Sequence, residues 1–270
     1  MRKNNWIYRT TLKLSIGNLF FVISCVILSF VLLRPLLNVD FFIYSNTVGK
    51  MDYLTLITFP FGLSGFTQFA PLFPVLPFSL VFVNEYRSGY LKSVFIRVGR
   101  KKYIRSRIIS VMFSGALVMA IPYIILYIFV IIMGVPTTPE NISGAYDSSM
   151  WLKIAFIGGG SLVLLGKLIL AVLFGILWSL VALFASIIFL NQYVTLILPF
   201  ALYQCLWYIT SVLRNYFRLI PSPTMFLRGD VNQPEDFIWY FWYICMVQIA
   251  FIFILGKLCK KGIDRRFESV

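Results

Sequence analysis

Long apolar runs separated by short polar segments make up most of this chain. A helix needs about 20 apolar residues to cross the hydrocarbon core of a membrane. Six segments approach or exceed that length: 14–33, 68–83, 108–133, 167–190, 193–213 and 238–257. The pattern predicts an all-α integral membrane protein, with residues 1–270 forming a single transmembrane domain of six helices.

Prolines interrupt the second predicted span. Pro71, Pro74 and Pro77 all lie within 68–83. Each proline removes a backbone donor and obstructs the preceding helical turn, so we expect this helix to be kinked. The carbonyl groups freed by the kink need protein or water neighbours inside a membrane. Two interpretations stay open: a bend that lines a pathway, and a bend that serves packing.

The apolar run over 151–189 is too long for a single crossing, because a helix rises about 1.5 Å per residue. Three consecutive glycines at 158–160 divide the run. We expect a short interfacial helix near 151–157, followed by a long span that starts close to Lys167.

The connections between spans also differ from one another. Only Asn191 and Gln192 separate spans four and five, so these spans should pack as a tight helical hairpin. The first outer loop, 34–67, is rich in aromatic residues, which suit the membrane interface. The loop over 214–237 carries three prolines and apolar residues among its charges. We expect this loop to be partly re-entrant before span six.

The distribution of charge predicts the orientation, because Lys and Arg accumulate on the cytoplasmic side of a membrane. With six spans, the N-terminal segment, the loop over 84–107 and the C-terminal tail lie on one side. They carry four, eight and five of the 24 basic residues. The loops of the other side balance basic with acidic residues. We therefore expect both termini in the cytoplasm, and a basic face that also binds anionic lipids.

The composition excludes several classes of chemistry. Hydrophobic residues make up 60% of the chain, which a soluble domain of this length could not bury. There is no histidine, and no predicted span contains Asp or Glu. Histidine catalysis, histidine metal sites and ion coupling through mid-membrane acids are therefore disfavoured. No basic soluble domain indicates nucleic-acid binding. Uphill transport would need energy from another polypeptide.

The loop over 84–107 has the features of a docking element for such a partner. Gly89 can end the preceding helix and let the chain turn along the membrane surface. Tyr90, Leu91, Val94 and Phe95 recur at helical spacing and form one apolar face. An amphipathic helix of this kind can fill a groove on a protein or lie flat on lipid. Both interpretations stay open on the residues alone.

The same loop resembles the first cytoplasmic loop of bacterial ABC-2 type exporter permeases. In that family a Glu, a basic residue, a Gly and a short amphipathic coupling helix follow span two, and a Gly–Arg pair and further basic residues precede span three. The matching positions here are Glu85, Arg87, Gly89, the segment 90–96, Gly99, Arg100, Arg105 and Arg107. The turn at 191–193 followed by Pro199 is similar to the family's junction between spans four and five.

The resemblance implies a multi-pass permease of the bacterial cell membrane. Such permeases pair as homodimers or heterodimers, and each binds a separate ATP-binding cassette subunit that holds ATP and Mg²⁺. This chain would then have no cofactor, metal or catalytic residue of its own. The residues implied in coupling to the ATPase subunit are Glu85, Arg87, Gly89, Tyr90, Leu91, Val94, Phe95 and Arg100. The cargo implied is a hydrophobic or amphipathic peptide, an antimicrobial or a lipid-like molecule.

Two other classes of function remain as alternatives. A passive channel or a membrane scaffold would need no ATPase partner, although the chain contains no ring of like charge or filter-type repeat. An intramembrane enzyme would need polar catalytic groups that face a cavity. The spans lack the histidines and carboxylates that usually supply such groups, which disfavours this class.

Overall fold

The computed structural model describes residues 6–37, 51–77, 79–89, 98–138, 150–158, 160–217, 220–229 and 237–268. These ranges contain eleven α-helices and no β-strand. In chain order the helices are α1 (Trp6–Ile16), α2 (Leu19–Leu33), α3 (Tyr53–Leu63), α4 (Phe66–Phe69), α5 (Ser79–Arg87), α6 (Arg100–Met133), α7 (Met150–Gly158), α8 (Ser161–Phe189), α9 (Gln192–Leu213), α10 (Met225–Arg228) and α11 (Phe237–Glu268). Two 3-10 turns, Arg34–Leu37 and Ala70–Leu72, directly follow α2 and α4.

Five helices of the described chain are long and apolar enough to cross a membrane. They are Leu19–Leu37, Arg100–Met133, Ser161–Phe189, Gln192–Leu213 and Trp239–Arg266. The chain is thus an all-α, multi-pass membrane protein. These helices correspond to five of the six predicted spans, namely the first and the third to the sixth.

The predicted second span is not one continuous helix. The segment 68–83 runs through the end of α4, the 3-10 turn Ala70–Leu72 and a series of turns, and then enters α5 at Ser79. Pro71, Pro74 and Pro77 all lie in the interrupted part, where each removes a helical donor. The kink expected from the sequence is therefore a full break. A count of six spans stays a prediction.

The boundaries of the long helices differ from those predicted. Helix α6 begins at Arg100 instead of 108, and α11 continues to Glu268 instead of ending at 257. In both helices basic residues extend the helix beyond the apolar run. Helix α8 begins at Ser161, six residues before Lys167, because Gly160 adopts a left-handed conformation (φ +87°) and ends the preceding turn. The short helix expected near 151–157 is α7.

Helices α1 and α3 lie largely outside the six predicted spans. Helix α1 precedes the first span. Helix α3 lies inside the segment 34–67, which we predicted as a loop. Asp52 caps α3: its carboxylate accepts hydrogen bonds from the Thr55 amide (3.1 Å) and the Thr55 hydroxyl (2.6 Å). Asp52 is buried at the N-terminus of α3, where an acidic side chain is favoured by the helix dipole.

Helix α8 is the central helix, and it packs against α6, α11, α9 and α5. Helices α6 and α8 approach most closely at Gly115 and Gly175. A Cβ atom on Gly115 would lie 2.5 Å from the Gly175 carbonyl oxygen. Small residues at such crossings let membrane helices bring their backbones together, which maximises van der Waals contact. The α6–α8 pair therefore forms the frame on which the other elements are placed.

The segment before α11 folds back against the bundle. Met225, Phe226 and Leu227 of α10 are buried. The Gln248 side chain of α11 donates a hydrogen bond to the Phe226 carbonyl (2.8 Å). Packing of this kind agrees with a partly re-entrant segment, and its depth in the bilayer stays a prediction.

Candidate functional site

The site is built at the basic end of the helix bundle, where α5 ends, α6 begins, α8 turns into α9, and α11 carries its basic tail. We call the polar contacts at this end the basic-end network. It comprises Asn84, Glu85, Arg87, Arg100, Tyr103, Arg107, Leu190, Gln192, Asp264 and Arg266.

A buried ion pair joins α5 to α6. The side chain of Arg107 is only 2% exposed, and its guanidinium pairs with the Glu85 carboxylate. The Tyr103 hydroxyl donates to the same carboxylate (2.5 Å), and Arg107 donates to the Tyr103 oxygen (3.2 Å). Tyr103 and Arg107 are four residues apart, so they lie on one face of α6. Glu85 lies in the last turn of α5, which places its carboxylate beside that face.

A second set of contacts joins the end of α5 to the turn between α8 and α9. Arg87 donates to the Leu190 carbonyl (3.0 Å), and the Gln192 amide donates to the Asn84 side chain. Leu190 ends α8 in the left-handed conformation (φ 49°), and Asn191 caps α9 by accepting from the Tyr193 amide (3.0 Å). This geometry confirms the short turn predicted at 191–192.

A third set joins the start of α6 to α11, and α11 to α8. The Arg100 guanidinium pairs with the Asp264 carboxylate (Nε–Oδ1 2.7 Å) and donates to the Asp264 carbonyl (2.6 Å). Arg266 donates to the carbonyls of Ile187 (3.0 Å) and Ile188 (2.6 Å). Those carbonyls lie in the last turn of α8, where a cation is favoured by the helix dipole.

An apolar cluster lies beneath the network. Its buried members come from α5, α6, α8 and α11: Phe82, Tyr103, Ile104, Val111, Leu180, Leu183, Ile187, Cys259 and Ile263. The four helices are thus fixed to one another by packing as well as by polar contacts. At the basic end, packing and polar contacts therefore connect α5, α6, α8 and α11 to one another.

Two glycines with positive φ flank the segment 90–97. Gly89 (φ +68°) follows α5, and Gly99 (φ +86°) precedes α6. Other residues rarely adopt this conformation, and glycine does so at little cost. Helix α5 ends at Arg87, two residues before Gly89, as the sequence predicted; the turn along the membrane surface stays a prediction. Tyr90, Leu91, Val94 and Phe95 lie outside the described residues, so the amphipathic coupling helix stays a prediction.

The structure brings together the four predicted site residues that it describes. Glu85, Arg87, Gly89 and Arg100 all lie at the basic end, although they belong to different elements. Sequence reasoning missed Tyr103, Leu190 and Asp264, which contact Glu85, Arg87 and Arg100. It also missed Arg266, which ties α11 to α8. Tyr103 carried a usable signal, since it stands one helical turn before Arg107. The contacts of Asp264 and Arg266 span 164 and 79 residues, and no local pattern indicates them.

A second polar cluster lies at the opposite end of α8. Lys167 is 1% exposed, and its ammonium lies over the rings of Phe61 (5.1 Å) and Trp151 (5.0 Å). Trp151 donates to the Arg228 carbonyl (2.9 Å). Arg228 donates to the Phe61 carbonyl and to the Thr67 hydroxyl (3.2 Å). These contacts hold α10 between α3, α7 and α8.

The contacts at the basic end link α5, α6, α8, α9 and α11 to one another. Within the described ranges, no three His, Cys, Asp or Glu side chains are grouped as a metal site would require. Comparison of the chain with protein-family models, with curated proteins and with solved structures gives no match.

Proposed function

We propose that this chain is the permease subunit of an ATP-driven ABC exporter, which forms half of a translocation pathway and couples to a separate ATPase subunit. The observation that carries the proposal is the anchoring of the segment 90–97 at both of its ends. Glu85 and Arg87 tie the α5 side to α6 and to the α8–α9 turn. Arg100 ties the α6 side to α11.

Anchoring of this kind suits a lever. A displacement of the segment 90–97 would pull on α5 and α6 together, because the Glu85–Arg107 pair links them. The same displacement would reach α8 through Arg87 and α11 through Arg100. A loop that merely connected two spans would not need side-chain contacts to three other helices. This loop resembles the coupling loop of ABC-2 permeases, which an ATPase subunit moves. In this proposal the ATPase subunit therefore supplies the energy for the displacement.

The exposure of α9 supports a paired permease. Only 11% of its most apolar stretch is buried within the chain, against 61% for α8. It is also the least apolar of the five long helices. A helix that is both less apolar and less covered gains from protein neighbours in a bilayer. A second permease subunit, identical or different, supplies such a neighbour and completes the pathway.

The proposed cargo is a hydrophobic or amphipathic molecule, such as a peptide, an antimicrobial or a lipid-like compound. In this proposal ATP and Mg²⁺ bind to the partner subunit, and the protein works in the cytoplasmic membrane of a bacterium. The segment 90–97 then faces the cytoplasm, which the basic end of the bundle favours.

Co-purification tests the proposal directly. The tagged chain, extracted from its native membrane in mild detergent, should bring down a subunit whose sequence contains the phosphate-binding motif G-x-x-x-x-G-K-[ST]. Leu91→Asp and Phe95→Asp place a charge on the predicted apolar face, and each should reduce the recovered ATPase at least tenfold. Tyr216→Asp is the matched control, because Tyr216 is 79% exposed just beyond the end of α9 that lies away from the network.

Two results would contradict the proposal. One is normal recovery of the ATPase from both aspartate variants. The other is ATP-independent flux through liposomes that contain this chain alone, which would favour a channel. Loss of recovery in Tyr216→Asp as well would show that the charge, and not its position, disturbs the complex.

A further inference from the structure

A cleft opens between α8 and α11 at the basic end. It is an open cleft with a volume of about 470 Å³, which is within the usual range for a small-molecule site. Its walls include Phe184, Ile187 and Ile188 from α8, and Leu258, Lys261 and Arg265 from α11. Gly262 lets the helices meet at its floor, because a Cβ atom there would lie 3.0 Å from Ile187.

The walls change from apolar to basic along the helix axes. At about 1.5 Å per residue, Lys261 and Arg265 lie about 4.5 and 10 Å beyond Leu258. Leu258, Lys261 and Arg265 are three and four residues apart in turn, so they share one face of α11. On α8, Phe184 lies about 6 Å before Ile188 in the same direction. The cleft thus has an apolar part within the span and a cationic rim at its end.

The two cations of the rim are available to a ligand. Lys261 and Arg265 are exposed, and neither has an acidic partner among the residues whose side chains the structure describes. The nearest acid on the same helix, Asp264, is held by Arg100. The third basic residue of the lining, Arg266, donates to the carbonyls that end α8 and so joins the two helices. The rim therefore carries two exposed positive charges, on Lys261 and Arg265.

We propose that this cleft binds one anionic phospholipid from the leaflet at the basic end. The phosphate contacts Lys261 and Arg265, and an acyl chain follows Phe184, Ile188 and Leu258. Basic pockets between membrane helices recognise anionic headgroups in this way. The order of apolar and cationic groups along the cleft matches the order of chain and headgroup in a phospholipid. This inference goes beyond the proposed function and does not depend on an ATPase partner.

Native mass spectrometry of the full chain in detergent tests the proposal. The probes are dioleoyl-phosphatidylglycerol, which is anionic, and dioleoyl-phosphatidylcholine, which has no net charge. We expect one tightly held phosphatidylglycerol per chain and no equivalent phosphatidylcholine adduct. Each basic residue near an anionic headgroup contributes about a fivefold gain in affinity. Lys261→Gln combined with Arg265→Gln should therefore weaken that adduct roughly 25-fold.

The matched control removes two charges from the same helix outside the cleft. Lys257 and Lys260 are exposed and do not line it. Lys257→Gln combined with Lys260→Gln should change the affinity less than about threefold. An equal loss in both double variants would overturn the proposal, because the basic face as a whole would then be responsible.

A soluble anion distinguishes a lipid site from a phosphate site. Glycerol 3-phosphate carries the headgroup chemistry without acyl chains. It should fail to displace phosphatidylglycerol at a hundredfold excess. Displacement at an equal concentration would overturn the proposal, since the apolar wall would then contribute nothing. All variants alter exposed side chains, and a single peak in size-exclusion chromatography confirms that each is folded.

Discussion

Two arginines at opposite ends of the helix bundle are held in different ways. Arg107, at the basic end, is buried and pairs with the carboxylate of Glu85, a side chain of another helix. Arg228, at the other end of α8, is half-buried and donates to a backbone carbonyl and a hydroxyl. Among the described residues Arg228 has no carboxylate partner.

The difference bears on what each end can do. A guanidinium–carboxylate pair joins two elements only while both charges are present, so its strength depends on both side chains. A guanidinium–carbonyl contact depends on one side chain and on the path of the backbone. The basic end therefore links helices across the segment 90–97, whereas the other end fixes the fold of one short segment, α10. Substitutions can test whether this contrast is real.

The largest effect is expected at the buried pair. Glu85→Leu leaves the Arg107 charge buried without its carboxylate, which costs about 3–5 kcal/mol. Combining Glu85→Leu with Arg107→Leu removes both charges and should recover most of that loss, because apolar side chains often replace a buried ion pair at little cost. The free energy of unfolding of the purified protein, from denaturant titration in detergent, measures both.

The test compares the free energy of unfolding of the double variant with those of the two single variants. The prediction is wrong if the double variant is as unstable as the sum of the two single variants. In that case the pair would not be what compensates the buried charges. Tyr103→Phe serves as a control, since it removes one hydroxyl that bonds to Glu85 and Arg107 but leaves both charges in place. It should cost about 1.5–3 kcal/mol, which is less than Glu85→Leu.

A smaller effect is expected at the opposite end. Arg228→Ala removes the donor to the Phe61 carbonyl and the Thr67 hydroxyl, and hydrogen bonds to charged groups contribute about 1.5–3 kcal/mol. The segment around α10 should loosen. Ser222, which is 5% exposed, reports this when replaced by Cys in a Cys205→Ser background, because a water-soluble maleimide should label it faster.

This experiment has a control variant, and its outcome should differ from that at the Glu85–Arg107 pair. Arg214→Ala removes a basic side chain from the end of α9 and should leave the labelling rate unchanged. Since one of the two partners is a backbone carbonyl, no second substitution should rescue Arg228→Ala. If Thr67→Ala has as large an effect as Arg228→Ala, the hydroxyl carries the contact, and the contrast between the two arginines weakens.

Much of the fold follows from the apolar pattern. Five of the six predicted spans correspond to long helices, since a run of 20 or more apolar residues has few alternatives to a membrane helix. The glycines at 158–160 and the turn at 191–192 were predicted correctly, because their effects on the backbone are local. The break at Pro71, Pro74 and Pro77 was underestimated as a kink. Three prolines spaced three residues apart remove three backbone N–H donors, and a helix that loses so many hydrogen bonds breaks instead of bending.

The rest of the site depends on contacts that no local pattern records. Helix α3 is apolar but only 11 residues long, which is too short for a span, and its start depends on the cap by Asp52. Arg87 reaches a carbonyl 103 residues away, and Arg100 reaches a carboxylate 164 residues away. Periodicity shows which face of a helix is apolar, but it does not show which helix is its neighbour. The basic loop could thus be predicted, and the helices that anchor it could not.

The smallest effect is expected at the exposed pair of the basic-end network. The side chains of Arg100 and Asp264 are 39% and 34% exposed, so their pairing should contribute less than about 1 kcal/mol. A double-mutant cycle with Arg100→Gln and Asp264→Asn measures the coupling. It should decrease markedly between 0.05 and 0.5 M salt, because ions screen exposed charges over about 10 Å or less. The Glu85–Arg107 coupling should change little.

These substitutions separate the Arg100–carboxylate pair from the hydrogen bond that Arg100 makes to the Asp264 backbone. Arg100 also donates to the Asp264 backbone carbonyl, and Asp264→Asn leaves that carbonyl in place. A coupling above about 2 kcal/mol that resists salt would therefore come from the carboxylate itself and would contradict its exposure. The anchor to α11 would then resemble the buried pair, and both ends of the segment 90–97 would be held with equal strength. If the coupling is weak and salt-sensitive, α5 and α6 are joined firmly by the Glu85–Arg107 pair. Helix α11 is then held only weakly by Arg100 and can move relative to α6.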